Sequence, residues 1–125
     1  MVIFDEPDVK VNFVDEENVV LGYDMRQDCC ETAFWFLSDK IAGEEKDYTA
    51  EELKGFLFVT DFCEVKEEED GMDERNTAIF KLVDVRGQCT YVHLGNCQNG
   101  YYSHRFMLEK KQDEKRILFY HHGSL

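Results

Sequence analysis

Apolar and polar residues alternate along much of the chain in the period-two pattern that is typical of β-strands. Residues 9–13 alternate strictly, residues 15–18 have the composition of a turn, and residues 19–23 alternate again. This pattern predicts a hairpin. Residues 32–37 are almost continuously apolar, which suits a doubly covered strand or a short buried helix; of the two, we favour the strand.

The middle of the chain mixes strand, helix and loop signals. Thr49 and Glu52 have the spacing of a capping box and predict one short helical turn over residues 50–54, ended by Gly55. Residues 56–65 are rich in aromatic and β-branched types and predict a strand. The acidic residues 66–75 predict an exposed loop.

The C-terminal part predicts a three-strand meander and a final strand. Its strands are expected at residues 77–85, 88–94 and 101–108, with turns at 86–87 and 95–100. A charged turn at 110–115 precedes an edge strand at 116–121. We therefore expect a mainly β fold, with α+β left open: an antiparallel curled sheet, sandwich or partial barrel of seven or eight short strands with one short helix.

Length and composition predict one soluble domain over residues 1–125. Hydrophobic residues make up 43% of the chain, enough for a packed core. No apolar stretch approaches the roughly 18 residues of a membrane span. Five cysteines at irregular spacing and an acidic N-terminus favour reduced thiols and no export, hence a cytoplasmic protein.

The formal net charge of −13 is the strongest signal in the composition. Such a field repels phosphate backbones, so direct binding of nucleic acid is not expected. One interpretation is that the charge keeps a small protein soluble. The other is that acidic side chains imitate a nucleic-acid backbone and occupy a basic partner. The acids in question are Glu67, Glu68, Glu69, Asp70, Asp73 and Glu74.

Three clusters contain reactive or polar residue types. The first is Gln27-Asp28-Cys29-Cys30-Glu31. Two adjacent thiols chelate a metal ion poorly, and the nearby acids stabilise the neutral, less nucleophilic thiol. We therefore favour a role in packing, or as one side of a ligand pocket, over catalysis or metal binding. In the second, Cys89, His93 and Cys97 are spaced as ligands on a helix. Because the segment is predicted to be a strand, residues four positions apart lie about 13 Å from each other, which is too far for them to bind one metal ion.

The third cluster runs from Asn96 to Phe106. Asn99-Gly100 predicts a hairpin turn, and Tyr101 and Tyr102 are expected to pack on its two faces. Alternatively a tyrosine, Ser103 and Arg105 form one wall of a pocket, with Gln27 and Asp28 opposite. The chain has no Ser/His/Asp spacing, glycine-rich phosphate loop or metalloprotease motif.

Together the first and third clusters resemble a family of short phage and prophage proteins of unknown function, also found in bacteria. Its members have Gln-Asp-Cys-Cys-Glu early and Asn-Gly-Tyr-Tyr-Ser near the end, and the likeness covers about residues 17–108. Residues 38–54 replace the acidic Gly-Asp-Leu segment usual in that family, and His104-Arg105-Phe106 stands where a more acidic strand is usual. The resemblance implies no assigned activity. The phage context implies accessory or counter-defence roles, by binding a host protein or trapping a signalling nucleotide.

The hypothesis we favour is a non-enzymatic binding protein, without cofactor, metal or catalytic residues, whose partner is a host protein or small molecule. A homo-oligomer is left open, and no membrane contact is expected. The alternatives are the acidic nucleic-acid mimic and a cysteine-dependent enzyme or metal-binding protein. The candidate ligand-binding residues are Gln27, Asp28, Cys30, Glu31, Asn99, Tyr101, Tyr102, Ser103 and Arg105.

Overall fold

The chain forms β-strands wherever alternating side chains can bury one face. A computed structural model describes residues 1–27, 32–70, 73–98, 104–113 and 116–125, and ten strands lie within these ranges. The strands are β1 (Val2–Glu6), β2 (Lys10–Val14), β3 (Val19–Asp24), β4 (Thr32–Ser38), β5 (Leu57–Phe58), β6 (Glu64–Asp70), β7 (Asp73–Val83), β8 (Cys89–Gln98), β9 (Arg105–Asp113) and β10 (Arg116–Ser124).

These strands make two antiparallel sheets. Sheet A has the order β1-β2-β3-β9-β10, and sheet B has the order β4-β8-β7-β5, with β6 also paired to β7. Along β2 and β3 every second side chain is buried, which is the pattern of strands that cover a core with one face only. The predictions of a mainly β, antiparallel fold, of the hairpin β2–β3, of strand β4 and of an edge strand at β10 are therefore confirmed. The expected number of seven or eight strands is wrong, because the described ranges contain ten, including β1, which was not predicted.

The two sheets pack against each other around one apolar core to which both contribute. Phe13 of sheet A meets Trp35 of sheet B edge-on, with ring centroids 5.2 Å apart. Phe80 of sheet B meets Phe106 of sheet A in the same way at 5.6 Å. Edge-on contacts of this kind contribute roughly 0.5–1.5 kcal/mol beyond the burial of apolar area. The arrangement is that of a sandwich.

The chain crosses between the sheets twice at the same end of the sandwich. Thr32, at the start of β4, lies opposite Cys97, near the end of β8. On sheet A, Tyr23 near the end of β3 lies opposite Phe106 near the start of β9. The β3–β4 and β8–β9 connections therefore begin and end beside each other. The first sequence cluster belongs to the β3–β4 connection, and the third runs from the end of β8 to the start of β9.

The predicted short helix over residues 50–54 is wrong. The capping box does form: the Thr49 amide donates to Glu52 Oε1 at 3.1 Å, and the Glu52 amide donates to Thr49 Oγ1 at 3.2 Å. However, the segment is only a hydrogen-bonded turn, because Gly55 at φ 83° ends it before a helix can propagate. The described ranges contain no helix, and hence none long and apolar enough to cross a bilayer.

The predicted strand at 56–65 and loop at 66–75 also need correction. The chain turns at residues 60–61, so only β5 forms before the turn. The acidic segment is not a loop but the hairpin β6–β7, paired from Glu64 opposite Ile79 to Asp70 opposite Asp73. Backbone bonds to β7 hold β6 in place, and an edge strand of this kind needs no apolar face.

The predicted C-terminal meander is correct only in its first half. β7 and β8 pair through a tight turn in which Gly87 has φ 81°. β9 does not follow β8 in the same sheet, because both sides of β8 are already occupied by β4 and β7. The predicted hairpin from β8 to β9 is therefore wrong, and the residues expected to form its turn, Asn99 and Gly100, lie outside the described ranges.

Candidate functional site

A cleft of about 580 Å³ lies on the outer face of sheet A, on the side away from the core. Lys10 and Asn12 of β2 and Gly22 and Asp24 of β3 alternate with buried residues and so point outward. The far side of the cleft is formed by β9 and β10. The lining residues are Val9, Lys10, Asn12, Gly22, Tyr23, Asp24, Arg26, Arg105, Phe106, Met107, His122, Gly123 and Ser124. We call this site the outer cleft.

Gly22 gives the outer cleft its depth. It lies opposite Asn12 on one side and Met107 on the other, in the middle of sheet A. A Cβ atom at Gly22 would stand 3.0 Å from Asn12 Oδ1, closer than ordinary van der Waals contact. Since no side chain rises from this position, a hollow remains between the taller side chains of β2 and β9.

Three positively charged side chains line the outer cleft around this hollow. Arg26 donates from Nε to Asp24 Oδ1 at 3.0 Å and from Nη2 to Asp24 Oδ2 at 2.9 Å. These side-chain bonds are the main reason why the pKa of the Asp24 carboxyl is lowered. Lys10 and Arg105 also line the cleft, but in the described part of the chain neither has a carboxylate oxygen within 4.0 Å.

A buried histidine fixes the backbone beneath the cleft. His104 donates from Nδ1 to the Asp24 carbonyl, with 2.7 Å between the two atoms. Its amide and carbonyl pair with those of Leu125, each at 2.8 Å. These bonds join the end of β3, the start of β9 and the end of β10, so Asp24 and Arg105 are held at fixed positions in the cleft wall.

Only two of the predicted ligand-binding residues fall in the described ranges. Arg105 is one, and it lines the outer cleft, while its role as a ligand-binding residue stays a prediction. Gln27 is the other; its Nε2 donates to the Ala33 carbonyl at 3.0 Å, which ties it to β4, and it does not line the cleft. The remaining predicted residues lie outside the described ranges, and they are Asp28, Cys30, Glu31, Asn99, Tyr101, Tyr102 and Ser103.

The flanks of the two predicted motifs nevertheless come together. Asp24, before the first motif, is bonded through its carbonyl to His104, after the second. Thr32, after the first motif, pairs with Cys97, before the second. The outer cleft reaches this end of sheet A through Asp24, Arg26 and Arg105. The hypothesis that both motifs share one pocket stays a prediction.

The sequence did not single out most of the cleft. For Lys10, Asn12 and Gly22 a signal existed: the predicted hairpin β2–β3 puts them on one face. No local sequence pattern indicates that Met107 and His122 lie beside them, because this depends on the order of the strands, which places β9 next to β3 and β10 next to β9.

His93 is engaged in packing rather than open to a ligand. It is 5% exposed, its ring stacks on Phe36 at a centroid distance of 4.2 Å, and its Nε2 lies 2.7 Å from Ser38 Oγ. Ser38 in turn donates to the Lys40 carbonyl at 2.6 Å, so its oxygen accepts from Nε2–H and the pair is not an activated nucleophile. Burial lowers the pKa of His93 to about 4, and the charge of Lys66 adds to the shift.

The thiols in the described ranges are Cys63, Cys89 and Cys97, all half-buried and free. Burial raises the pKa of the Cys63 thiol, which keeps it protonated and poorly nucleophilic. Within these ranges no three His, Cys, Asp or Glu side chains are grouped as a metal site. Cys30 lies outside them, and the cysteine-enzyme alternative stays a prediction.

Comparison with protein-family models, with curated protein sequences and with solved structures finds no match for this chain. The resemblance to the phage and prophage family stays a prediction.

Proposed function

We propose that the protein is a non-enzymatic binding protein that takes a small anionic ligand in the outer cleft. The observation that supports this most is the placement of charge. The chain has 14 Lys and Arg against 27 Asp and Glu, yet three of its cations line this one cleft. With Asp24 as the only acid among the lining residues of the described chain, the cleft carries 3 − 1 = +2, inside a molecule of net −13.

The composition of the lining favours binding over catalysis. The described lining includes no cysteine, and its two hydroxyl side chains are those of Tyr23 and Ser124. The Tyr23 hydroxyl donates to the Gly95 carbonyl at 2.7 Å, on the core side of the sheet. Asp24 is held by Arg26 and is therefore a poor general base.

The test uses a matched pair of probes of one size, benzoate with a charge and benzyl alcohol without. Binding of a ligand to the folded state raises Tm, so we expect benzoate to stabilise the protein and benzyl alcohol not to do so. The double variant Lys10→Gln/Arg105→Gln should lose the shift. Lys111→Gln, at an exposed position of β9 outside the cleft, is the control and should keep it. Equal shifts from both probes, or an unchanged shift in the double variant, would refute the proposal.

The biological setting is part of the same proposal. A phage or prophage protein that captures an anionic signalling molecule in the host cytoplasm would act as an accessory or counter-defence factor. If so, co-expression of the wild type should restore phage growth on a host whose defence uses such a molecule. The double variant should not restore growth, and equal restoration by both proteins would count against this role.

A second candidate function is the acidic nucleic-acid mimic. It is favoured by the hairpin β6–β7, in which Glu69 lies directly opposite Glu74. Like charges directly opposite each other on paired strands lower the stability of a sheet. A binding function of these acids would explain why the chain keeps this unfavourable pair. Replacing Glu67, Glu68 and Glu69 by Gln should abolish retention on a cationic heparin-binding domain, and retention that survives the change would refute mimicry.

A further inference from the structure

We infer that the outer face of sheet A is a self-association surface, on which a second copy of this chain packs about a two-fold axis with its strands aligned. This inference goes beyond the proposed function. It is based on the apolar side chains that this face exposes and on the order of the charges across its strands. Both follow from the register of sheet A, because residues directly opposite each other on paired strands point to the same side.

The outer face of sheet A carries apolar side chains that the core does not use. Phe13 and Leu108 are fully buried, so the residues next to them in β2 and β9 point outward. Five large apolar side chains point to this outer side and are between 39% and 58% exposed; they are Val2, Phe4, Met107, Ile117 and Phe119. An exposed apolar patch with polar residues at its rim is typical of a protein–protein interface.

The charges across one end of this face alternate in sign. Glu6 lies opposite Lys10, and Lys10 lies opposite Asp24 on its other side. Arg105 stands beside Asp24, at the first position of β9 and one step beyond the last pair of β3 with β9. From β1 through β2 and β3 to β9 the signs are therefore minus, plus, minus, plus.

This order of charges is complementary to its own reverse. A second copy, turned over about an axis that runs along the strands between β2 and β3, places Arg105 against Glu6 and Asp24 against Lys10. Every charge in the row then faces the opposite sign, which is the self-complementarity that a two-fold interface requires. A different partner protein would not require it, so the pattern favours a second copy.

The row next to the charges fits the same axis. Phe4, Asn12, Gly22 and Met107 lie side by side across the four strands. Turned over, Phe4 faces Met107 of the second copy, and Asn12 faces Gly22, which has no side chain to obstruct it. Facing sheets pack about 10 Å apart with their strands within about 30° of each other, so rows only four strands wide stay close to this correspondence.

The third row is apolar at its centre. Val14 and Val20 are half-buried and face each other across the axis. At the ends of the row Val2 faces Glu109, the one contact in the three rows between an apolar side chain and an acid.

The charges also argue against the neighbouring axis, which runs along β3 itself. That axis would bring Lys10 against Arg105 and Asp24 against its own copy, and like charges facing each other oppose association. The whole molecule has a net charge of −13, so two copies approach each other against repulsion. A row of two acids and two bases adds nothing to this repulsion.

The second copy covers the outer cleft, since β2, β3 and β9 belong to both surfaces. An anionic ligand and the second copy therefore exclude each other. Four strands about 4.8 Å apart and five residues about 3.4 Å apart make the face roughly 19 Å by 17 Å. This is at the small end of protein interfaces, and we expect a dissociation constant in the micromolar range.

The experiment is sedimentation equilibrium of the full chain at about 5–500 μM, which brackets a micromolar dissociation constant. We expect a reversible equilibrium of monomer and dimer. Phe4→Glu should weaken the dimer about tenfold or more, because it places a charge against Met107 of the second copy. Val85→Glu adds the same charge at a fully exposed turn outside sheet A and is the control, which should change the dimer by less than about threefold.

The pair of Glu6 and Arg105 gives a test at constant composition. In the described part of the chain neither forms an ion pair within 4.0 Å, whereas Asp24 is already bonded to Arg26. Glu6→Arg or Arg105→Glu should each weaken the dimer about tenfold, since like charges then face each other twice. The double variant Glu6→Arg/Arg105→Glu keeps the net charge of the wild type and should restore the dimer.

Melting curves show that each variant is folded, as expected for changes at the exposed positions 4, 6 and 105. A monomer at every concentration overturns the inference, and so does a dimer that Phe4→Glu leaves intact. A double variant as weak as the single variants overturns it too, because Glu6 and Arg105 then do not face each other.

Discussion

At the residue scale, burial decides how two polar side chains behave. Asp15 is buried, and its carboxylate accepts from the amides of Glu17 and Val19 at Oδ1 and of Phe58 at Oδ2, at 2.9 to 3.0 Å. It thereby ties the β2–β3 turn to β5 of the other sheet. His93, also buried, has its pKa lowered to about 4. The sequence indicates a turn at Asp15, but not that its carboxylate reaches Phe58.

His93 should make the protein less stable in mild acid. Its pKa is about 4 in the folded state and has its ordinary value of 6.5 in the unfolded chain. The folded state therefore binds fewer protons, and its stability is complete above pH 6.5 and declines as the pH falls toward 4. Between about pH 7 and about pH 5 this linkage removes about 2 kcal/mol from the free energy of unfolding.

Urea denaturation at the two pH values measures this loss. His93→Gln should remove most of the pH dependence, whereas His122→Gln, at an exposed position, should leave it unchanged. A His93→Gln protein that loses as much stability as the wild type would show that other groups cause the effect.

At the element scale, the pairing of β4 with β8 depends on a close approach of side chain to backbone. Phe34 lies opposite Gly95, and its ring covers that residue. Arg75 of β7 lies over the same ring, with its guanidinium carbon 5.2 Å from the ring centroid. Phe34, Phe36 and His93 thus cover the outer face of sheet B with stacked rings.

Gly95→Ala should disturb this packing. A Cβ at position 95 would stand 2.1 Å from Phe34 Cζ, so the ring must move. We expect a loss of about 1–3 kcal/mol in the free energy of unfolding, the usual cost of overpacking. The same change in a Phe34→Leu background should cost clearly less, because the obstructing ring is absent. Equal costs in the two backgrounds would contradict this account.

The strands and turns show which parts of the fold can be predicted from local sequence alone. Strands with a clear period-two pattern, such as β2 and β3, are predicted with their faces. β6 was missed because an exposed acidic edge strand has no apolar alternation to reveal it. The turn at Thr49 and Glu52 shows the reverse: its capping bonds form as the local pattern requires, but the segment is too short to become a helix.

At the scale of the whole molecule, charge works against compactness. With a net charge of −13, like charges repel across the surface, and the hairpin β6–β7 concentrates them. The sandwich is held by contacts between the sheets, including the bond of 2.7 Å from the Tyr23 hydroxyl to the Gly95 carbonyl.

Added salt should therefore stabilise the protein. Raising NaCl from about 10 mM to about 200 mM screens surface repulsion, and we expect Tm to rise by roughly 3–6 °C. The variant with Glu67, Glu68 and Glu69 replaced by Gln should have a higher Tm at low salt and a smaller increase with salt. A Tm that salt lowers, or the same increase in both proteins, would be inconsistent with this view.

By itself, the sequence determined that the chain is mainly β, that its strands run antiparallel, and that the hairpin β2–β3 buries one face. These properties follow from alternation and turn composition, which act over a few residues. Only the tertiary structure decided that β9 pairs with β3 rather than β8, and hence that Arg105, Lys10 and Gly22 share one cleft. The order of the strands depends on which strand edges remain free for pairing and on which apolar faces pack together. Both depend on residues far apart in the sequence, so no local pattern predicts them.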